Sequence, residues 1–276
     1  LKNEIVMVRS QRNFYDHAVR TAGVRIREVG LPDRYAGAGV RDAEPWEIAE
    51  AIGDRTAAVL YVAGASARPP LDAVARVAHE RNVRVLVDAA AQLPPARNLQ
   101  AFLQAGADLV AFSGGKAIGG PQGSGILCGR RDLIMSAALQ MLDLDVEWDQ
   151  WSPPPQFIDK SVLPGLPPHG IGRAAKIGKE TIVGLLVALR RFAAEGDEVR
   201  YRRWRVLMDS LESALGELPH ARLAIRGEWI PKLELRLEPR SRLDARALLL
   251  ALQDGDPSIV ADGGHLDQGV VAIHPL

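Results

Sequence analysis

The sequence has 276 residues, 47% hydrophobic and 25% charged, the balance of a globular protein with a core to fill. Lys+Arg and Asp+Glu each number 34, so the formal net charge is zero, which argues against nucleic acid or an acidic membrane surface as the main partner. A single cysteine, Cys128, excludes an intramolecular disulfide framework and zinc-finger spacing and fits a reducing, cytoplasmic home, and no apolar run has the length of a membrane span.

Ile5–Val8 reads as a buried strand with neither helix nor cap before it, so the chain is expected to begin partway into a domain. Further strand-like runs are Val24–Val29, Ala57–Val62, Val83–Val87, Asp108–Phe112 and Gly125–Cys128. Between them Phe14–Ala22, Pro45–Ile52 and Leu71–Arg81 show helical spacing, with Asp42 and Asp72 near the starts, where a carboxylate satisfies free N–H groups. This alternation predicts an α/β domain built on a mostly parallel sheet covered on both sides.

The stretch from Trp151 to Pro168 carries Pro153-Pro154-Pro155 and Pro167-Pro168, which a regular helix does not accommodate. The domain change is placed there, giving a large domain at 1–165 and a smaller C-terminal α+β domain at 166–276. In the second, Lys176–Ala194 and Glu198–Leu215 read as long connecting helices and Asp244–Gln253 as a shorter one. Leu223–Ile225, Leu233–Leu237, Ser258–Val260 and Val270–Ile273 read as strands.

Two strand ends carry the chemistry. Val85-Leu86-Val87 runs into Asp88 and then into Ala89-Ala90-Ala91-Gln92. Ligands of open parallel sheets bind beyond the carboxyl ends of strands, so Asp88 is expected at the crevice, although an acid in this place also suits a helix cap. The run Asp108–Phe112 passes through Ser113-Gly114-Gly115 into Lys116. A lysine among glycines at a strand end is badly placed for packing and well placed for a bound cofactor, the alternative being a surface lysine on a flexible loop. An amine able to attack an aldehyde, paired with an acid for a pyridinium nitrogen, is the demand of pyridoxal 5'-phosphate (PLP) chemistry. In that reading Lys116 forms the Schiff base, Asp88 keeps the ring nitrogen protonated, and Ser113 contacts the cofactor phosphate or caps a turn.

Other names for the glycines fail. A P-loop needs glycine and Ser or Thr where Val110 and Ala117 stand. Gly123-Ser124-Gly125 leads into the strand-like Ile126-Leu127-Cys128 and not into the helix that a dinucleotide fingerprint requires. The six histidines, His17, His79, His169, His220, His265 and His274, have no metal-ligand spacing, so no metal is expected. His169 is singled out because it precedes a glycine-arginine motif.

These stretches resemble the fold-type I PLP enzymes, in the branch of selenocysteine synthase (L-seryl-tRNA selenium transferase) and D-glucosaminate-6-phosphate ammonia-lyase. The resemblance rests on Val87-Asp88-Ala89-Ala90-Ala91-Gln92-Leu93-Pro94-Pro95, on Gly106–Gly125, on Gly170-Ile171-Gly172-Arg173-Ala174-Ala175-Lys176-Ile177-Gly178-Lys179-Glu180, and on Gly255-Asp256-Pro257-Ser258-Ile259. It implies Lys116 as the cofactor lysine and Asp88, Gln92 and Ser113 as further cofactor-binding residues. It also implies that Arg173, assisted by Lys176, receives an anionic substrate group, whose planar recognition suits arginine. Relatives have an additional N-terminal stretch for the cofactor phosphate that this chain is expected to lack, and Gln11 stands where they tend to show a histidine able to stack on the ring.

The function implied is elimination of the ammonia-lyase type on an amino acid or amino sugar acid. The alternatives are an aminotransferase, a selenocysteine-synthase-like transferase, and a non-catalytic, truncated PLP-fold protein. A homodimer or larger homo-oligomer is expected, without a membrane partner.

Overall fold

The computed structural model describes residues 1–31, 42–142, 145–166 and 169–276. It divides into two compact units, one of residues 1–93 and 97–189, the other of residues 94–96 and 190–276. Pro167 and Pro168, part of the expected crossing segment, lie outside the described residues.

In the first unit the elements run β1 (Glu4–Val8), α1 (His17–Thr21), β2 (Arg25–Val29), α2 (Pro45–Ala51), β3 (Thr56–Val62), α3 (Leu71–Glu80), β4 (Arg84–Asp88), α4 (Asn98–Gln104), β5 (Leu109–Ser113), β6 (Gly125–Gly129) and α5 (Arg131–Gln140), followed by α6 (Lys179–Glu195), whose residues from Arg190 on belong to the second unit. The strands form one sheet in the order β2-β1-β3-β4-β5-β6. All neighbours are parallel except β6, which runs antiparallel to β5.

Burial explains the strand sequences. Ile5, Val6, Met7 and Val8 are all buried, so β1 is covered on both faces, as its unbroken apolar run requires. The cover thins toward β6. Ala111 and Leu127, cross-strand partners on one face, are both exposed, so the expected cover on both sides holds at the centre of the sheet and not at this edge. Helix α3 shows the amphipathic spacing of a half-buried helix, with Leu71, Val74, Ala75, Val77 and Ala78 buried, and it packs on α2 and β4.

The helix starts differ from the expectation in their capping. Asp42 binds the Ser10 hydroxyl and the Ala43 N–H, and Glu44, not Asp42, precedes α2, its N–H donating to Glu47 at 2.7 Å. Asp72 lies inside the first turn of α3 and accepts from Ala73 N–H at 2.9 Å. The expected helix Phe14–Ala22 divides into a 3-10 turn, Phe14–Asp16, and α1, because Asn13 caps the turn at Tyr15 N–H.

Asp108 fastens the amino edge of this sheet. It is 4% exposed. Its backbone N–H donates to Val85 O and its Oδ2 accepts from Val85 N–H, both at 2.9 Å, so the side chain extends the β4–β5 ladder by one acceptor. His79 Nε2 of α3 stands 2.8 Å from Oδ2, and Arg84 Nη1 lies 3.5 Å from Oδ1.

The second unit contains α7 (Asp197–Leu215), β7 (Ala221–Arg226), β8 (Lys232–Leu237), α8 (Ala245–Gln253) and β9 (Val270–Ile273). Its strands form an antiparallel sheet in the order β7-β8-β9. Asp244 caps α8 through Ala247 N–H at 2.7 Å. Buried Arg200 binds Asp197 at 2.7 Å, Glu195 at 3.2 Å and the Phe192 carbonyl, and lies over the Phe192 ring. Ser258–Val260, expected as a strand, forms no strand: Ile259 and Val260 are exposed, and only Asp262 bridges to Ala272 on β9.

Asp108→Ala is expected to lower the unfolding free energy by about 2–4 kcal/mol, because it orphans the Val85 N–H and removes a buried, paired charge. His79→Ala, which deletes only a half-exposed partner, is expected to cost under about 1 kcal/mol. Denaturant unfolding of the two variants checks this, and equal losses would contradict it.

Candidate active site

The parallel strands place their carboxyl ends along one rim. Asp88 is the last residue of β4 and pairs with Ala111 of β5, so β5 continues two residues further to Ser113 before entering the loop that carries Lys116. The rim is knitted by main-chain bonds: Ala63 N–H donates to Asp88 O and Ala89 N–H donates to Ala111 O, each at 2.9 Å. Asp88 is half-buried. Its Oδ1 accepts from Ala90 N–H at 3.0 Å, and among the described residues its Oδ2 takes no hydrogen bond.

The Lys116 loop is held by its own backbone. Gly114 N–H donates to Ser124 O at 2.9 Å, Gly120 N–H to Gly114 O at 2.8 Å, and Gly119 N–H to Lys116 O at 2.8 Å. Ser124, itself buried, returns its hydroxyl to Pro121 O at 2.6 Å. Two glycines are required by close approach: a Cβ on Gly114 would collide with Ser124 Oγ, and one on Gly115 would lie 2.6 Å from Gln122 Cα. Lys116 is exposed on this braced loop. Ser113 is half-buried and pairs with Gly125.

Gln92 sits four residues past Asp88, with its Nε2 donating to Ala63 O at 2.9 Å and its own carbonyl accepting from Asn98 Nδ2 at 2.7 Å. Asp88, Gln92, Ser113 and Lys116 thus all belong to the β4 and β5 ends of the rim. Arg173 and Lys176 belong to a different segment. Arg173 lies in a 3-10 turn, Ile171–Ala175, and Lys176 follows it. That segment packs on the end of α5, where Cβ atoms on Gly170 and Gly172 would collide with Gln140 and Met141. Both side chains are exposed to solvent. His169 lines an open apolar cavity of about 550 Å³ beside Leu139, Leu163 and Ile171.

Gln11 has a structural task. It is 7% exposed, its Oε1 accepts from Val62 N–H at 2.9 Å and its Nε2 donates to Arg68 O at 3.2 Å, so its amide joins the end of β1 to the end of β3. Tyr61, the penultimate residue of β3, was not singled out from the sequence. Burial pushes its phenol up, the Arg68 guanidinium opposes the shift and the Asp72 carboxylate adds to it. An aromatic phenol one residue before a rim is the signal that marks it. Burial likewise pushes the Cys128 thiol up. Among the described residues no group of three or more His, Cys, Asp or Glu converges on a metal-sized site, and no helix is long and apolar enough to cross a membrane.

Comparison with known proteins places this rim in context. The Aminotransferase class-V family model matches residues 9–142, a span that contains Asp88 and Lys116. The chain is 29% identical to the 5'-C-glycyluridine monooxygenase-decarboxylase of Streptomyces sp. across 99% of its own length and 62% of that protein. It is 28% identical to D-glucosaminate-6-phosphate ammonia lyase of Salmonella typhimurium (strain 14028s / SGSC 2262) across 100% of its own length and 66% of that protein. A solved structure of D-glucosaminate-6-phosphate ammonia-lyase matches with a TM-score of 0.70 and 27% identity, over 99% of this chain and 66% of that one. The chain therefore spans less than two thirds of the length of each of these curated relatives.

The two kinds of glycine in the lysine loop give a paired test. Gly115→Ala is expected to cost about 1–3 kcal/mol, since the new methyl meets backbone, whereas Gly123→Ala, with nothing within 4 Å of its Cβ, is expected to stay within about 0.5 kcal/mol of the parent. Thermal unfolding of both reads the difference.

Proposed function

We propose that the chain is a fold-type I PLP-dependent enzyme in the branch of D-glucosaminate-6-phosphate ammonia lyase, to which it is similar, and that it catalyses elimination from an amino acid or amino sugar acid, releasing ammonia and a keto acid. The observation that carries this reading is the β4–β5 register, which sets Asp88 opposite Ala111 and so gives a carboxylate and the lysine loop a common rim.

PLP, when bound, supplies an electron sink adjacent to the substrate amine. The donor set suits it. Asp88 Oδ2 has the open acceptor capacity that a protonated pyridine nitrogen needs, and Oδ1 is steadied by Ala90 N–H. Lys116 Nζ, presented on a loop packed closely where Gly114 and Gly115 meet Ser124 and Gln122, is the amine that would hold the cofactor. Lys116 Nζ would also move the proton at the substrate α-carbon. Ser113 would donate its hydroxyl to the cofactor phosphate. Gln92, its amide anchored on Ala63 O, holds the rim in shape beside the cofactor.

Arg173 receives the substrate carboxylate or phosphate, with Lys176 in support; a guanidinium grips such planar or tetrahedral anions by two parallel N–H bonds. The assembly that completes the site is a homo-oligomer, in which this exposed segment meets a second copy. The relationship to the monooxygenase-decarboxylase favours a second reading, oxygen-dependent decarboxylation on the same Lys116.

Two measurements test the proposal. Protein supplied with PLP is expected to show a visible absorption band that borohydride reduction removes. Lys116→Ala abolishes the band, while Asp88→Asn keeps it and lowers turnover about a hundredfold or more, the scale for losing one preorganised electrostatic partner. A band that persists in Lys116→Ala overturns the lysine assignment. Separately, ammonia is expected from candidate amino sugar acids without a keto acceptor and without oxygen. A strict need for an acceptor would move the chain to transamination, and oxygen consumption with carbon dioxide release would move it to oxidative decarboxylation.

A further inference from the structure

The antiparallel sheet of the second unit has two chemically opposed faces. Because opposite residues of an antiparallel pair project to the same side, Leu223, Leu235 and Val271 share one face, as do Ile225, Leu233 and Ile273. The intervening positions form the other face, and there like charges stand directly opposite each other, Arg222 against Arg236 and Arg226 against Lys232, with Glu234 between the two pairs on β8. Cross-strand like charges are destabilising in the free protein. A sheet retains such an arrangement without penalty when an anion sits between the groups.

At one of these pairs the surface is concave. Arg222, Arg236 and Arg240 line an open cavity of about 430 Å³ together with Glu238. Three arginines and one glutamate therefore line it. Arg222 Nε is held by Glu238 Oε1 at 3.0 Å, and Arg236 Nη1 donates to the Gln268 carbonyl at 3.1 Å. That anchor leaves most of Arg236's donors facing outward, since a guanidinium carries five N–H groups. Arg240 stands on the turn that follows β8, closed by Ser241 N–H donating to Glu238 O at 2.9 Å. Lys232 of the neighbouring like-charged pair is compensated in the same way, by Asp262 at 3.2 Å, so the charge left over at the cavity is that of Arg236 and Arg240.

We propose that the cavity lined by Arg222, Arg236 and Arg240 binds a small phosphate-bearing metabolite. Its size suits a small organic ligand and not a polymer. The planar, permanently charged donors of Arg236 and Arg240 suit bidentate recognition of phosphate oxygens, while Glu238 orients Arg222 beside them. All four residues belong to the second unit, so the site stands independently of the assignment of Lys116.

Inorganic pyrophosphate is the probe, titrated calorimetrically into the full-length chain and into Arg236→Gln, Arg240→Gln and the double variant, with sodium chloride at matched ionic strength as the control. Saturable binding to the parent is expected, with about tenfold weaker binding in each single variant, the scale of one charge-assisted contact, and none in the double variant. In chloride alone Arg236→Gln is expected to melt at or above the parent's temperature, because it relieves the Arg222–Arg236 repulsion. A purely structural Arg236, serving only the Gln268 carbonyl, gives a lower melting temperature and unaltered pyrophosphate binding, which overturns the proposal. So does pyrophosphate binding that the double variant retains in full, since the anion then sits elsewhere. Absence of binding to the parent, or tighter and steeply salt-dependent binding of a short single-stranded oligonucleotide to the same arginines, likewise overturns it.

Discussion

The register between β4 and β5 is the constraint on which the rest of the first unit depends. At the amino edge the Asp108 main chain and side chain both bind Val85, and at the carboxyl edge Asp88 stands opposite Ala111. A parallel ladder that slipped by two residues would keep every side chain on its face, yet it would move Asp88 relative to the lysine loop by about 6.6 Å. Burial alone does not forbid such a slip, because Val85, Val87, Val110 and Phe112 would still face apolar neighbours. The buried Asp108 carboxylate forbids it, since its Oδ2 would lose the Val85 N–H that satisfies it. A polar contact at one end of the sheet thereby sets the spacing of functional groups at the other.

The loop beyond β5 continues the same logic. Ordinary surface loops are tolerant because few atoms depend on them, but here the backbone of residues 114–124 bonds to itself and the missing side chains of Gly114 and Gly115 are filled by Ser124, Gln122 and Leu185. The result is a solvent-exposed amine on a closely packed support. Gln11, tied to Val62 and Arg68, and Gln92, tied to Ala63, stiffen the neighbouring turns in the same way.

Much of this is legible in the sequence, for physical reasons that also mark where legibility ends. The four inner strands of the first sheet, β1, β3, β4 and β5, announce themselves because most of their apolar residues are buried, whereas the edge strands β2 and β6 bury none fully; the abrupt change from valine to Asp88, and from Phe112 to Ser113-Gly114-Gly115, marks where β4 and β5 leave the core. Helices α4 and α5 give no such signal: neither buries a single residue fully, so no apolar stripe is selected. Ile259 and Val260 mislead for the opposite reason, being β-branched or apolar residues in an exposed segment without a strand partner. The antiparallel sense of β6 is not encoded locally, because a short apolar run reads alike in either direction. The bonds from Asp108 to His79 and Val85 span 29 and 23 residues, and those of Gln11 span 51 and 57, separations that no local pattern reaches.

The distribution of satisfied polar groups separates scaffold from site. Among the described residues, Gln11, Asp16, Thr56, Asp108, Ser124 and Arg200 are the buried polar or charged ones, and each has a partner: Val62 and Arg68, Arg12, Gly53, Val85, Pro121, and Asp197 respectively. Folding favours this, since an unmatched buried polar group costs about 1–3 kcal/mol; among the described residues one buried side-chain atom, His274 Nδ1, is left without a hydrogen-bond partner. Asp88 departs from the pattern in being half-buried with one oxygen bonded and the other open. A carboxylate retained at the end of a core strand, where a valine would extend the apolar run and an asparagine would satisfy Ala90 equally well, contributes little to stability that a neutral residue would not. On the proposed reading its charge is set against a cation brought to it from outside the fold, and the neighbouring strand β5 leads into the loop that carries Lys116.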